Sequence, residues 1–141
     1  MKTLNCSSRG DKRFSAFYAR VSVFSKIDSI ENHFQLSKRI NGRPAPTTWR
    51  DMKGKRPDYF VVGQHRIPAE LLSAWYALLW VKYLDAHPEL VQYAKGFDSF
   101  YDPFAKPGRN NQAEVIRAYV KDGRNAIMHR ADVVKLLHML K

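Results

Sequence analysis

Apolar residues recur with two different periods along this chain, and the change of period marks its elements. From Phe14 to Phe24, "FSAFYARVSVF", aromatic and β-branched residues partly alternate with polar ones, the spacing of one or two short strands. "DYFVVG", residues 58–63, reads as another. Between them, "DSIENHFQLSKR" has a helical spacing. Asp28 precedes Glu31 by three residues, as in a capping box, and predicts a helix from there to about Arg39 with Ile30 and Phe34 toward the core.

Pro68 opens the most regular stretch: Leu71, Leu72, Trp75, Leu78, Leu79 and Tyr83 form an apolar stripe on a long helix reaching His87. Pro88 starts a short helix closed by Gly96. Residues 97–110, "FDSFYDPFAKPGRN", are aromatic, turn-rich and irregular. Asn110 or Asn111 caps a helix whose Val115, Ile116, Tyr119 and Val120 share a face before Gly123, and "ADVVKLLHMLK" is a last amphipathic helix. The expected fold is a helix-dominated α+β single domain over residues 1–141. Its one long loop, residues 41–58, holds three prolines, two glycines, five Lys/Arg and Trp49; loops of that length in compact domains usually carry function or are disordered.

Composition narrows the class. A chain of 141 residues that is 45% hydrophobic, with 18 aromatic residues, is long and apolar enough to bury a core. No run of 18 or more apolar residues offers a membrane span, and "MKTLNCSSRGDKRF" lacks the apolar centre of a secretory signal. One cysteine, Cys6, leaves no internal disulfide and no cysteine-rich zinc site. The expectation is a soluble cytoplasmic protein with no membrane partner.

Charge adds a direction. The net charge is +11, and residues 1–66 carry most of it, with 14 Lys/Arg against 5 Asp/Glu; residues 67–141 hold 10 against 8. Such an imbalance favours a nucleic acid or other polyanion, because each phosphate neutralised releases counterions. Basic and aromatic residues also interleave in that half. Arg43, Trp49, Arg50, Lys53, Lys55 and Arg56 are the candidate nucleic-acid contacts, with Trp49 the candidate exposed stacking residue; Phe14, Phe17 and Phe60 read mostly as core.

Familiar catalytic signatures are missing: there is no P-loop, GxGxxG, GxSxG or HExxH. The five histidines have no tight metal-ligand pairing, so no metal and no cofactor is expected, and Cys6 reads as an inert thiol. Glu31 and Gln35, four residues apart, share a helix face, with Lys38 a further turn along. Glu31 has two readings, a helix cap or a site carboxylate. Asp102, Arg109, Asn110 and Asn111 precede another helix, which suits either an anion or a plain turn and cap.

The order of these pieces carries a resemblance. "FSAFY", then "SIENHFQLSK", then "VVGQHR", a long helix with "HPEL", and "FYDPFAKPGRNNQAEVIRAYV" together resemble the NADAR superfamily, whose members include N-glycosidases acting on ribose-linked compounds, both damaged riboflavin precursors and ADP-ribosylated guanine bases. "ENHFQLSK" places Glu31, Phe34, Gln35 and Lys38 in the register of the family's E-x-x-(F/Y)-Q-x-x-K helix, and "LNCSSRGDKRFSAFY" is similar to the opening of an uncharacterised branch. The chain departs from the pattern at Ala16, where the family has Asn, and at "FYDPF", which replaces a Trp-Gly-Asp-like segment and leaves Asp102 as the acid.

The resemblance implies the NADAR fold and an N-glycosidase acting on a nucleotide, an ADP-ribose conjugate or a modified nucleic acid. Glu31 would stabilise the oxocarbenium-like sugar, with Asp102 as second acid or water positioner. Gln35, Lys38 and Asn111 would hold sugar hydroxyls or phosphate, and Arg20, Arg66 and Arg109 would be further anion contacts. The alternatives are a non-catalytic nucleic-acid or nucleotide-binding module, and a small basic protein that grips an acidic partner protein.

Overall fold

The computed structural model describes residues 1–105 and 111–141. Its centre is α2 (Leu72–Asp85), entered through one tight turn, Ala69–Leu71. The stripe read from the sequence is wider than its six residues. Ala74, Tyr76, Ala77, Trp80, Val81 and Leu84 are buried as well, so α2 is covered on nearly every side and Ser73, Lys82 and the terminal Asp85 are its exposed positions. A helix apolar almost all round belongs inside a fold, and the other elements wrap it.

Among the described residues, seven strands form three small sheets. β1 (Thr3–Asn5) pairs in parallel with β7 (Ser99–Tyr101), Leu4 opposite Phe100. That pairing continues through a 2.7 Å bond from the Cys6 N–H to the Tyr101 carbonyl. β2 (Arg20–Val23) and β3 (Lys26–Ser29) make a hairpin, and β4 (Lys38–Arg39), β5 (Tyr59–Val62) and β6 (His65–Pro68) an antiparallel meander. Further helices are α1 (Ile30–Leu36), α3 (Pro88–Ala94), α4 (Gln112–Arg117), α5 (Arg124–Met128) and α6 (Ala131–Met139), with one wider turn at Ala118–Asp122 after α4. The chain is thus an α+β domain of six helices and small sheets among the described residues, and none of those helices is long and apolar enough to cross a membrane.

Three expectations need correcting. The stretch 14–24 does hold one short strand, β2, but residues 14–19 are no part of it: Phe14 ends a tight turn and Ala16 to Ala19 form a loop. Its backbone is used elsewhere, because the Ala16 and Ala19 carbonyls accept the N–H groups of Glu31 (2.9 Å) and Ile30 (2.8 Å), the otherwise unpartnered donors of the first turn of α1. The stretch at 97–110 is not wholly irregular, since it contains β7.

The third correction concerns α1. Its cap is Ser29, whose Oγ accepts from the Asn32 N–H (3.0 Å), while Asp28 Oδ1 accepts from the Ser29 N–H and from Asn32 Nδ2. Glu31 takes no part, so its capping role falls. The helix stops at Leu36 rather than Arg39 because Lys38 and Arg39 pair with Phe60 and Tyr59, and the Arg39 guanidinium donates to the carbonyls of Leu36, Ser37 and Lys38.

Candidate functional site

Four polar side chains of the described core stand out, because burying polar groups is costly unless they are partnered. Glu31, Gln35, Lys38 and Gln112 are 7%, 5%, 3% and 6% exposed. All four line one cleft of about 870 Å³, together with Asp102, Tyr76, Phe17, Phe34, Arg9 and Phe104. That volume falls in the range of small-molecule sites.

Two elements deliver the acids. Glu31 and Gln35 come from successive turns of α1, and Gln35 Nε2 donates to Glu31 Oε1 at 3.0 Å. Asp102 follows β7 directly, so the β1–β7 pairing fixes its position and sets Ser8 and Arg9 on the same cleft. Gln112, the first residue of α4, holds the two halves together: its Oε1 accepts the Ala16 N–H (2.7 Å) and its Nε2 donates to Asp102 Oδ2 (3.1 Å). The second Asp102 oxygen accepts the Phe104 N–H at 2.9 Å. Ala16 therefore bridges Glu31 and Gln112 through its own peptide groups, a role that needs no polar side chain there.

Tyr76 on α2 lines the same cleft and feels both carboxylates. Burial raises its phenol pKa above the ordinary value, a contact with Trp80 opposes this, and the charges of Glu31 and Asp102 add to the rise. Its ring is packed edge-on against Phe34, 5.0 Å between centroids.

The basic loop forms one lip. Lys38 lies in β4 rather than on the helix, yet still reaches the cleft, where its ammonium donates to the carbonyls of Met52 (3.2 Å) and Lys55 (3.0 Å). Lys38 thus ties the loop down from below. Lys53, Lys55 and Arg56 line the cleft from that loop, and a tight turn, Trp49–Asp51, is closed by reciprocal bonds between Thr48 and Asp51. Trp49 is half-buried rather than free, 5.2 Å from Phe17, and the Lys53 ammonium lies over both rings. On the opposite lip the Arg9 guanidinium covers Phe104.

Other expected contacts sit elsewhere. Arg20 is exposed on the β2–β3 hairpin, Arg66 lies over Tyr59 on β6, and Arg43 bridges back to Ile40; none of them lines the cleft. Asn111 caps α4 by accepting from Ala113 and Glu114, and Arg50 covers Trp49 outside the cleft. Arg109 and Asn110 lie outside the described residues. Sequence reasoning missed Arg9, Tyr76, Phe104 and Gln112, and took Phe17 for core. Of these, Tyr76 alone had a signal, as the polar-tipped aromatic beside the stripe of α2.

The chemistry available is that of two carboxylates and an amide pair in a recess with a cationic mouth. Such a recess suits a neutral or developing-positive centre inside and an anionic group at its lip. Comparisons of this chain with protein-family models and with curated proteins find no match.

Proposed function

We propose that this chain is an N-glycosidase-like enzyme, related to the NADAR superfamily, that cleaves the bond between ribose and base in a nucleotide, an ADP-ribose conjugate or a modified nucleic acid. The observation that carries this reading is the meeting of Glu31 and Asp102, 71 positions apart in the sequence, in one cleft with cationic lips. As the C1′–N bond breaks, its electron pair leaves with the base and positive charge grows on the sugar ring; the Glu31 carboxylate stabilises that charge. Asp102 orients the water whose oxygen bonds to C1′ and accepts its proton, and the departing base nitrogen is protonated from solvent. Lys53, Lys55, Arg56 and Arg9 suit the phosphates of such a substrate. A lone buried cysteine fits a cytoplasmic setting.

Mass-spectrometric detection of released base tests this. Wild type and Glu31→Gln would be incubated with NAD, ADP-ribose conjugates, ribosylated pyrimidines and ADP-ribosylated DNA; release by wild type alone supports the reading, and no release from any of them overturns it.

The Phe17–Trp49 pair with Lys53 above it favours a second reading, a nucleotide or nucleic-acid binding module that does not cut. Binding that falls steeply with salt, without any release of base, would select it.

A further inference from the structure

Gln35 uses only half of its amide. Its Nε2 is committed to Glu31, and this orientation is required because a carboxylate can only accept. Its Oε1 is buried and has no hydrogen-bond partner among the described residues. A buried acceptor left in this state is costly, and a native fold keeps one where something else supplies the donor. The side chain lines the cleft, and its terminal torsion is soft, so a small turn presents Oε1 to a group seated there.

We infer that Gln35 is the residue by which the cleft selects a ribosyl over a 2-deoxyribosyl ligand, its Oε1 accepting a hydrogen bond from the sugar 2-hydroxyl. This rests on the proposed function, which puts C1 of the sugar over Glu31. The two ends of one amide are adjacent, so a group that reaches Oε1 while Nε2 holds Glu31 sits next to C1, and in ribose that group is the 2-hydroxyl. The incoming group must be a donor, which a hydroxyl is and a bare ring carbon is not. A hydrogen bond at this position also strengthens as charge grows on the ring, so Gln35 acts on both binding and reaction.

Calorimetric titration of the whole chain with ribose 5-phosphate and with 2-deoxyribose 5-phosphate tests the inference without reference to any particular base. Wild type is expected to bind ribose 5-phosphate about tenfold or more tightly than the deoxy sugar. Gln35→Met, similar in volume but without hydrogen-bonding groups, is expected to bring the two affinities within about twofold of each other, chiefly by weakening the ribose complex. Equal affinity of wild type for the two sugars overturns the role of Gln35 and leaves the glycosidase reading standing, and so does an unchanged preference in Gln35→Met. Failure of both sugars to bind wild type overturns the inference, and the base-release assay then decides the reading beneath it. The wild-type comparison varies only the ligand, so equal affinities overturn the inference even if the variant does not fold.

Discussion

The ammonium of Lys38 donates to the backbone carbonyl of Lys55 at 3.0 Å, joining the strand after α1 to the basic lip of the cleft. This contact closes a loop between positions 17 apart in the sequence, and Met52, buried within that loop, is held by the same ammonium. The lip that would meet an anion is therefore positioned from beneath by a cation of its own.

Replacing that cation should release the lip. Lys38→Met leaves the Lys55 carbonyl without this donor, whereas the Met52 carbonyl keeps the Lys55 N–H. The expected loss is about 1–3 kcal/mol, with faster proteolytic cleavage within residues 41–58. Urea denaturation and limited trypsin digestion measure the two effects; unchanged cleavage would show that the lip is held by other contacts.

Asp51 should be the acid-sensitive point of the same loop. The N–H groups of Thr48 and Thr47, then the Thr47 hydroxyl, hold its carboxyl below the usual carboxylate range. A lowered folded pKa means that the turn is fully supported above about pH 3.9. That support is lost as pH falls through the lowered value. Carbon-detected NMR titration of Asp51 should give a midpoint below that of an ordinary aspartate, and Asp51→Ala should make Trp49–Asp51 lose amide protection at neutral pH.

Cys6 should be silent toward thiol reagents. Burial, then the charge of Asp102, pushes its pKa up to about 12, with the Tyr101 backbone bond opposing. Because the folded value lies above the ordinary thiol value of about 8.5, the contribution to stability is complete below that value and is lost as pH rises toward about 12. Tyr119, raised by burial and by its bond to Asp85 up to about 12, adds to the same alkaline loss. A disulfide-exchange assay at pH 8 should show no reaction until denaturant unfolds the chain, and thermal scans should show stability falling steadily above pH 9.

The β2–β3 turn carries removable strain. Phe24 and Ser25 have φ of 49° and 66°, in the left-handed region that glycine occupies at no steric cost. Ser25→Gly should stabilise the protein by up to about 1 kcal/mol. A higher midpoint in thermal unfolding is the expected result; a lower one would mean that the unfolded chain gains more freedom from glycine than the turn gains in relief.

What the sequence disclosed follows the range of the interactions involved. Glu31 and Gln35 meet because a helix forces residues four apart onto one face, and that spacing can be read without a structure. Lys38 could be placed near them for a similar reason, though a strand rather than another helical turn carries it. Gln112 was not legible, since its partners Ala16 and Asp102 are brought to it by packing, 96 and 10 residues away. The same holds for β7, which exists as a strand only through its pairing with β1. "FSAFYA" looked extended from its aromatic residues, but the unpartnered N–H groups of α1 drew its carbonyls into a loop. Arg20, Arg43 and Arg66 looked like anion contacts because charge can be counted in a sequence, whereas the side of the fold it faces cannot.

The central claim is that Glu31 and Asp102 act on one ribose in one cleft, and the rate of base release tests it most directly. On any substrate of the panel that wild type cleaves, Glu31→Gln and Asp102→Asn should each slow release by about a hundredfold or more, and the double variant should fall little below the slower single one. Release at the wild-type rate by either folded single variant, or independent additive losses in the double variant, would contradict the account.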